Sequence, residues 1–174
     1  MRSIIGVVAL AILSGCLGTG KWEGLVVAPE DRCSPYTKKD YPHSQALEPV
    51  LQDLYGGKLY DPYDKKVYRS KFDTHIEHIV ATSEAHDSGL CRASASIKRR
   101  FASDLDNLTL AWKKRNIEKS GKDAGEWLPK HNRCWFAWRV VAVKRKYELT
   151  VDTDEMAALK TILDGCNPHP MEML

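Results

Sequence analysis

The segment Thr74-His75-Ile76-Glu77-His78-Ile79-Val80 sets two histidines and a glutamate within four residues, among β-branched neighbours. Zinc proteases place two histidines four apart on a helix with a glutamate between them. Here the histidines are three apart in a segment that reads as extended, and the inverted HxxEH form fails by one residue. Another metal chemistry needs an acidic ligand beside a histidine at a strand end, then an asparagine, then a second ligand on a short helix. Glu77-His78, Asn107 and Asn116 supply those parts in that order, with Lys119 one turn further on.

The elements that must position these residues can be read from periodicity. Phe72 to Val80 alternates as a strand, with Ile76 and His78 on one side and His75 and Glu77 on the other. Asn107 to Trp112 reads as a short apolar strand or extended run, and Lys113 to Ser120 as one or two turns of basic helix stopped by Gly121. Around them stand a helix with a stripe of Leu47, Val50, Leu51 and Leu54, a turn at Asp61-Pro62-Tyr63-Asp64 and a strand at Val67-Tyr68-Arg69. A basic helix follows at Ser94 to Ser103, then a long one from Cys134 to Leu149. In a final helix from Asp152 to Gly165, Asp152 caps and Glu155 reaches back. The expected class is α+β. Trp112, Trp127, Trp135 and Trp138 read as core aromatics, His86 as a loop residue at the surface or on a phosphate, and Glu84 as a brace after the strand.

The N-terminus reads as an export signal. Met1-Arg2 precedes an uncharged run from Ile4 to Leu13, too short to span a bilayer and of signal-peptide size. Leu13-Ser14-Gly15-Cys16 resembles a lipobox, which marks Cys16 for lipidation. The expected layout is a signal over residues 1–15, a tether over 16–40 and a single domain over 41–174. The expected location is outside the cytoplasm, on an outer membrane or cell surface, held by the lipid alone. Four cysteines remain, Cys33, Cys91, Cys134 and Cys166, and an even number in an exported chain reads as two disulfides. Three connectivities are open, of which Cys91–Cys134 with Cys33–Cys166 is the one expected here. Between Cys91 and Glu148 there are fifteen Lys and Arg against six Asp and Glu, while Cys16 to Leu90 has nine against twelve. A basic half of that kind fits a polyanion-binding face.

Taken in order, Glu77-His78-Ile79-Val80, Glu84-Ala85-x-x-Ser88-Gly89, Arg100-Phe101-Ala102-x-Asp104-x-x-Asn107-Leu108, Asn116-x-x-Lys119 and Trp127-Leu128-Pro129 form a recognisable series. It resembles the HNH (ββα-metal) superfamily, in particular the secreted HNH endonucleases whose domain also ends certain modification-dependent restriction enzymes. The resemblance spans roughly residues 74–166. It implies a ββα-metal core embedded in helices and hydrolysis of phosphodiester bonds in DNA, with RNA as an alternative. His78 would be the general base, Glu77 and Asn116 the ligands of one divalent cation, and Asn107 the residue that fixes the loop and orients His78. Oxygen ligands favour Mg2+, with Mn2+ next. Lys119, Arg115, Arg99 and Arg100 would contact phosphates. A monomer is the expected state, and a non-catalytic nucleic-acid-binding lipoprotein on the same fold is the competing reading.

Overall fold

The computed structural model describes residues 20–167. The signal segment, Cys16 and its lipobox therefore lie outside the described residues. The chain forms strands β1 (Lys21–Trp22) and β2 (Leu25–Val26), helix α1 (Leu47–Leu54), and strands β3 (Leu59–Asp61), β4 (Lys66–Tyr68) and β5 (Thr74–His78). It continues through helices α2 (Thr82–Asp87) and α3 (Ala95–Ala102), strand β6 (Leu108–Trp112), and helices α4 (Lys113–Lys119), α5 (Arg133–Lys146) and α6 (Thr153–Asp164). Among the described residues the strands pair into three antiparallel two-stranded sheets, β1–β2, β3–β4 and β5–β6. The fold is α+β. No helix of the described residues is long and apolar enough to cross a membrane.

The β5–β6 pair positions the chemistry. Its register sets Thr74 opposite Trp112, Ile76 opposite Leu110 and His78 opposite Leu108. Chain direction then reverses without a loop, since β6 ends at Trp112 and α4 starts at Lys113. This brings α4 back along β5. Leu51, Leu59, Ile76, Leu108 and Leu110 make a small apolar cluster under the hairpin, with α1 packed on β6. The larger core gathers Tyr63, Phe101, Phe136, Val140, Val141 and Leu159 between α3, α5 and α6. Burying a side chain of this size stabilises by about 1.5–3 kcal/mol.

Three expectations are corrected. Residues 20–40 are not a tether: Leu25 is buried in the core, Val27 bridges Val151, and Ala28 N–H donates to Val151 O at 3.0 Å. Strands of two residues are too short to show a period, so the sequence concealed them. The disulfides are Cys33–Cys91 and Cys134–Cys166, not the pairing expected. The first fastens the N-terminal segment beside the turn after α2, and the second joins the start of α5 to the end of α6. Glu155 does not reach back as a capping partner. Asp152 Oδ1 alone accepts from the N–H groups of Asp154 and Glu155, at 2.8 and 2.9 Å, while the Glu155 carboxylate turns inward to Lys144.

Lys144 is a charge placed deep in the fold. It is wholly buried, with its Nζ 2.7 Å from Glu84 Oε1, 3.0 Å from Thr150 O, 3.2 Å from Ser88 Oγ and against the Glu155 carboxylate. Burial works against its charge, and Glu155 and Glu84 outweigh that, so its ammonium is held above the usual lysine range. One ammonium thus joins α2, α5 and α6. Among the tryptophans, Trp127 and Trp135 pack on the core, Trp112 stacks on Tyr68 at 6.3 Å, and Trp138 is exposed.

Candidate active site

Glu77 and His78 are the last two residues of β5, where the two-residue period sends their side chains to opposite faces. His75 and Glu77 share the face that meets α4. Asn116 and Lys119 are three apart on α4 and so occupy one side of it. Asn116 sets its amide nitrogen 3.4 Å from His75 Nδ1, and Lys119 Nζ lies 2.8 Å from Glu77 Oε1. The same ammonium donates to His78 O at 2.9 Å, which fastens helix to strand.

Glu77 is buried, and its Oε1 has no well-aligned hydrogen-bond donor, because the approach of Lys119 is close but off line. Burial raises its carboxyl above the usual range and Lys119 opposes that rise. His78 donates from Nε2 to Ala102 O at 2.9 Å. A carbonyl can only accept, so Nε2 carries the proton and Nδ1 keeps its lone pair. Burial pushes this imidazole down to about 4, with the charges of His43, Lys119 and Lys38 adding to the effect against the pull of the Ala102 bond. At neutral pH the ring is uncharged and its Nδ1 is basic.

Asn107 is fully buried at the mouth of the hairpin. Its main-chain O accepts from Ile79 N–H at 2.8 Å, its Oδ1 from Val80 N–H at 2.8 Å, and its Nδ2 donates to Val80 O at 3.1 Å. The side chain thereby carries the β5–β6 ladder two residues past His78. A cleft of about 310 Å³ opens over this point, lined by Glu77, His78 and Asn116 and by Tyr36, Lys38 and His43. At its far side a Cβ on Gly121 would meet the Ser83 hydroxyl, which would have to turn away to admit it.

Glu77, His78, Asn107 and Asn116 are thus brought together, whereas the expected phosphate contacts are scattered. Lys119 is almost fully buried and committed to Glu77. Arg115 is paired with Asp64 at 3.0 Å and with Glu118, its side chain mostly covered. Arg99 and Arg100 are exposed but do not line the cleft, and the Arg100 guanidinium lies 5.9 Å over the Tyr147 ring. His86 is buried rather than superficial, with Nδ1 2.8 Å from Tyr41 Oη and Nε2 2.8 Å from Ser34 O.

Sequence reasoning missed the wall contributed by residues 34–45. His43 sets its ring edge-on to His78, centroids 5.1 Å apart, and Lys38 stands beside it in the cleft. The segment is anchored by Tyr36 Oη to Thr82 Oγ1 at 2.7 Å, by Tyr41 to His86, and by an Arg32–Asp87 ion pair. Its sequence is polar and aperiodic, and nothing local announces that it packs.

No solved structure matches the chain. A protein of Arthroderma benhamiae described as an uncharacterized secreted protein is 27% identical over 166 residues, covering 82% of this chain and 81% of its own length. The C-terminal domain of the GmrSD restriction endonucleases matches over residues 35–161, which takes in the cleft wall at 36–43 as well as β5, β6 and α4. The chain belongs to the family of GmrSD restriction endonuclease C-terminal domains.

Proposed function

We propose that the protein is an exported, metal-dependent nuclease of the HNH type that hydrolyses phosphodiester bonds in DNA. The observation that carries this reading is His78. Its Nε2 is fixed on the Ala102 carbonyl, which leaves Nδ1 as an uncharged base in a cleft shared with a buried carboxylate and an asparagine. His78 takes the proton from the attacking water at Nδ1, and the Ala102 carbonyl holds the resulting ring charge. Asn107 holds the loop after His78 so that the ring keeps its aim. Lys38, and His43 beside the base, line the wall opposite Glu77 and favour a phosphate over a neutral substrate.

The donor set fits a hard divalent cation, because a carboxylate, Glu77, and an amide, Asn116, line the same cleft as His78. Glu77 and Asn116 would hold Mg2+ or Mn2+, which supplies positive charge to the phosphate and the departing oxygen. Lys119 keeps the Glu77 carboxylate compensated within the fold.

Export is supported by the two disulfides, by the secreted relative and by the signal-like N-terminus, in which Cys16 is the proposed lipidation site.

The test is plasmid and oligonucleotide cleavage by the purified, disulfide-intact protein with Mg2+, Mn2+ or EDTA, beside His78→Ala. Expected is metal-dependent cutting, lost in His78→Ala, with the acid limb of its pH profile below the ordinary histidine value near 6.5. Cutting that survives His78→Ala removes the base assignment. No cutting with either metal moves the reading to a non-catalytic nucleic-acid-binding module, which the Lys119–Glu77 ion pair would suit.

A further inference from the structure

The active-site cleft does not end at His78. Through Lys38, His43, Ile76 and Asn116 it runs on into a second hollow of about 520 Å³, whose far end is made by Lys71, Phe72 and Lys113. Phe72 is 73% exposed, while the other two phenylalanines, Phe101 and Phe136, are 0% and 1% exposed. A single exposed apolar side chain is ordinary on a protein surface. This one stands in a polar groove that leads to the reactive centre, and its backbone is fixed. Phe72 N–H donates to Ser70 Oγ at 3.1 Å and Asp73 N–H to Ser70 O at 3.0 Å, so a closed turn presents the ring to solvent. Lys71 Nζ lies 5.7 Å from the ring centroid. Lysines 38, 71 and 113 face one carboxylate, Glu48, in this arm, which leaves it positive.

An aromatic face flanked by ammonium groups along a groove is the arrangement that binds unpaired nucleotides, the base on the ring and the backbone phosphates along the lysines. In a duplex both faces of each base are already stacked on neighbours and cannot lie on a side-chain ring. We propose that Phe72 is a base-stacking platform that makes the nuclease prefer single-stranded or locally unpaired nucleic acid, one strand running from Lys113 and Lys71 past Phe72 to His78. This rests on the nuclease reading and specifies its substrate.

The experiment measures binding apart from cutting. In a His78→Ala background with Mg2+, fluorescence anisotropy gives the affinity for a labelled oligothymidine and for a fully paired duplex of two complementary strands, with Phe72 retained or changed to Ala or Trp. Stacking on one ring is lost as a drop of about 5- to 100-fold in single-strand affinity. Phe72→Ala is expected to show that drop, with duplex binding changed by less than about 2-fold and Phe72→Trp close to the parent. Equal losses on both substrates, or no loss on the oligothymidine, would overturn the platform while the cleavage assay still stood. Tight binding of an unrelated protein through Phe72 with nucleic-acid affinity unaltered would assign the ring to a protein partner instead. A His78→Ala protein that binds neither substrate, together with an unsubstituted protein that cuts none, brings down the nuclease reading as well.

Discussion

Replacing Asn107 tests whether the loop after the base is held as described. Asn107→Ala deletes the acceptor for Val80 N–H and the donor for Val80 O, and Val80 is itself buried. Both backbone groups are left without partners where water does not reach. Each such loss costs about 1–3 kcal/mol, so the pair costs about 2–6 kcal/mol. For a chain of this size a kcal/mol moves the melting temperature by about 2–4 °C, which places the variant about 4–24 °C lower. The catalytic effect is separate. Val80 lies two residues beyond His78, and a misplacement of about 1 Å in a reacting group can cost about 100-fold in rate. Thermal unfolding by circular dichroism, paired with initial cleavage rates at 25 °C, where both proteins are folded, separates the two losses. Asn107→Asp sharpens the test, since a carboxylate can still accept from Val80 N–H but cannot donate to Val80 O. A melting point within about 2 °C of the parent and a rate within about 2-fold for Asn107→Ala would refute the clamp.

Lys144→Met strands the buried carboxylates of Glu84 and Glu155 without their cation. Breaking a buried ion pair from one side costs about 3–5 kcal/mol, and the loss should shrink on acidification because protonated carboxyls no longer need the ammonium; a pH-independent loss below about 1 kcal/mol in denaturant unfolding would contradict that account. Cys16→Ser is expected to move the protein from the membrane pellet to the soluble fraction after export, and unchanged fractionation would rule out lipid attachment at Cys16.

The hairpin and helix that carry the site were legible because each has a signal of its own. β5 alternates, β6 is a short apolar run, α4 is stopped by Gly121, and the order Glu77-His78, Asn107, Asn116 survives as a pattern along the chain. α2 was not legible, because Glu84, His86 and Asp87 are polar residues buried on a six-residue helix, which gives no apolar stripe. Their partners, Lys144, Tyr41 and Arg32, lie 45 to 60 positions away. The same holds for Lys119. A lysine on a basic helix reads as a solvated phosphate contact, and only the fold shows it facing Glu77. Disulfide pairing is likewise a property of tertiary distance, and four cysteines spaced along the chain do not contain it.

The Cys33–Cys91 bridge ties the start of the segment that carries Tyr36, Lys38 and His43 to the region just after α2. In a reducing compartment that bond is open, and the segment is held only by hydrogen bonds, an ion pair and side-chain packing. Oxidation then acts as an assembly step in time. On the export reading, a chain still inside the cytoplasm would carry β5, β6 and α4 with one side of the cleft lacking its covalent tie, which would form once the chain reached an oxidising space. On the proposed nuclease reading, this order would keep the finished groove away from the genome of the cell that makes it.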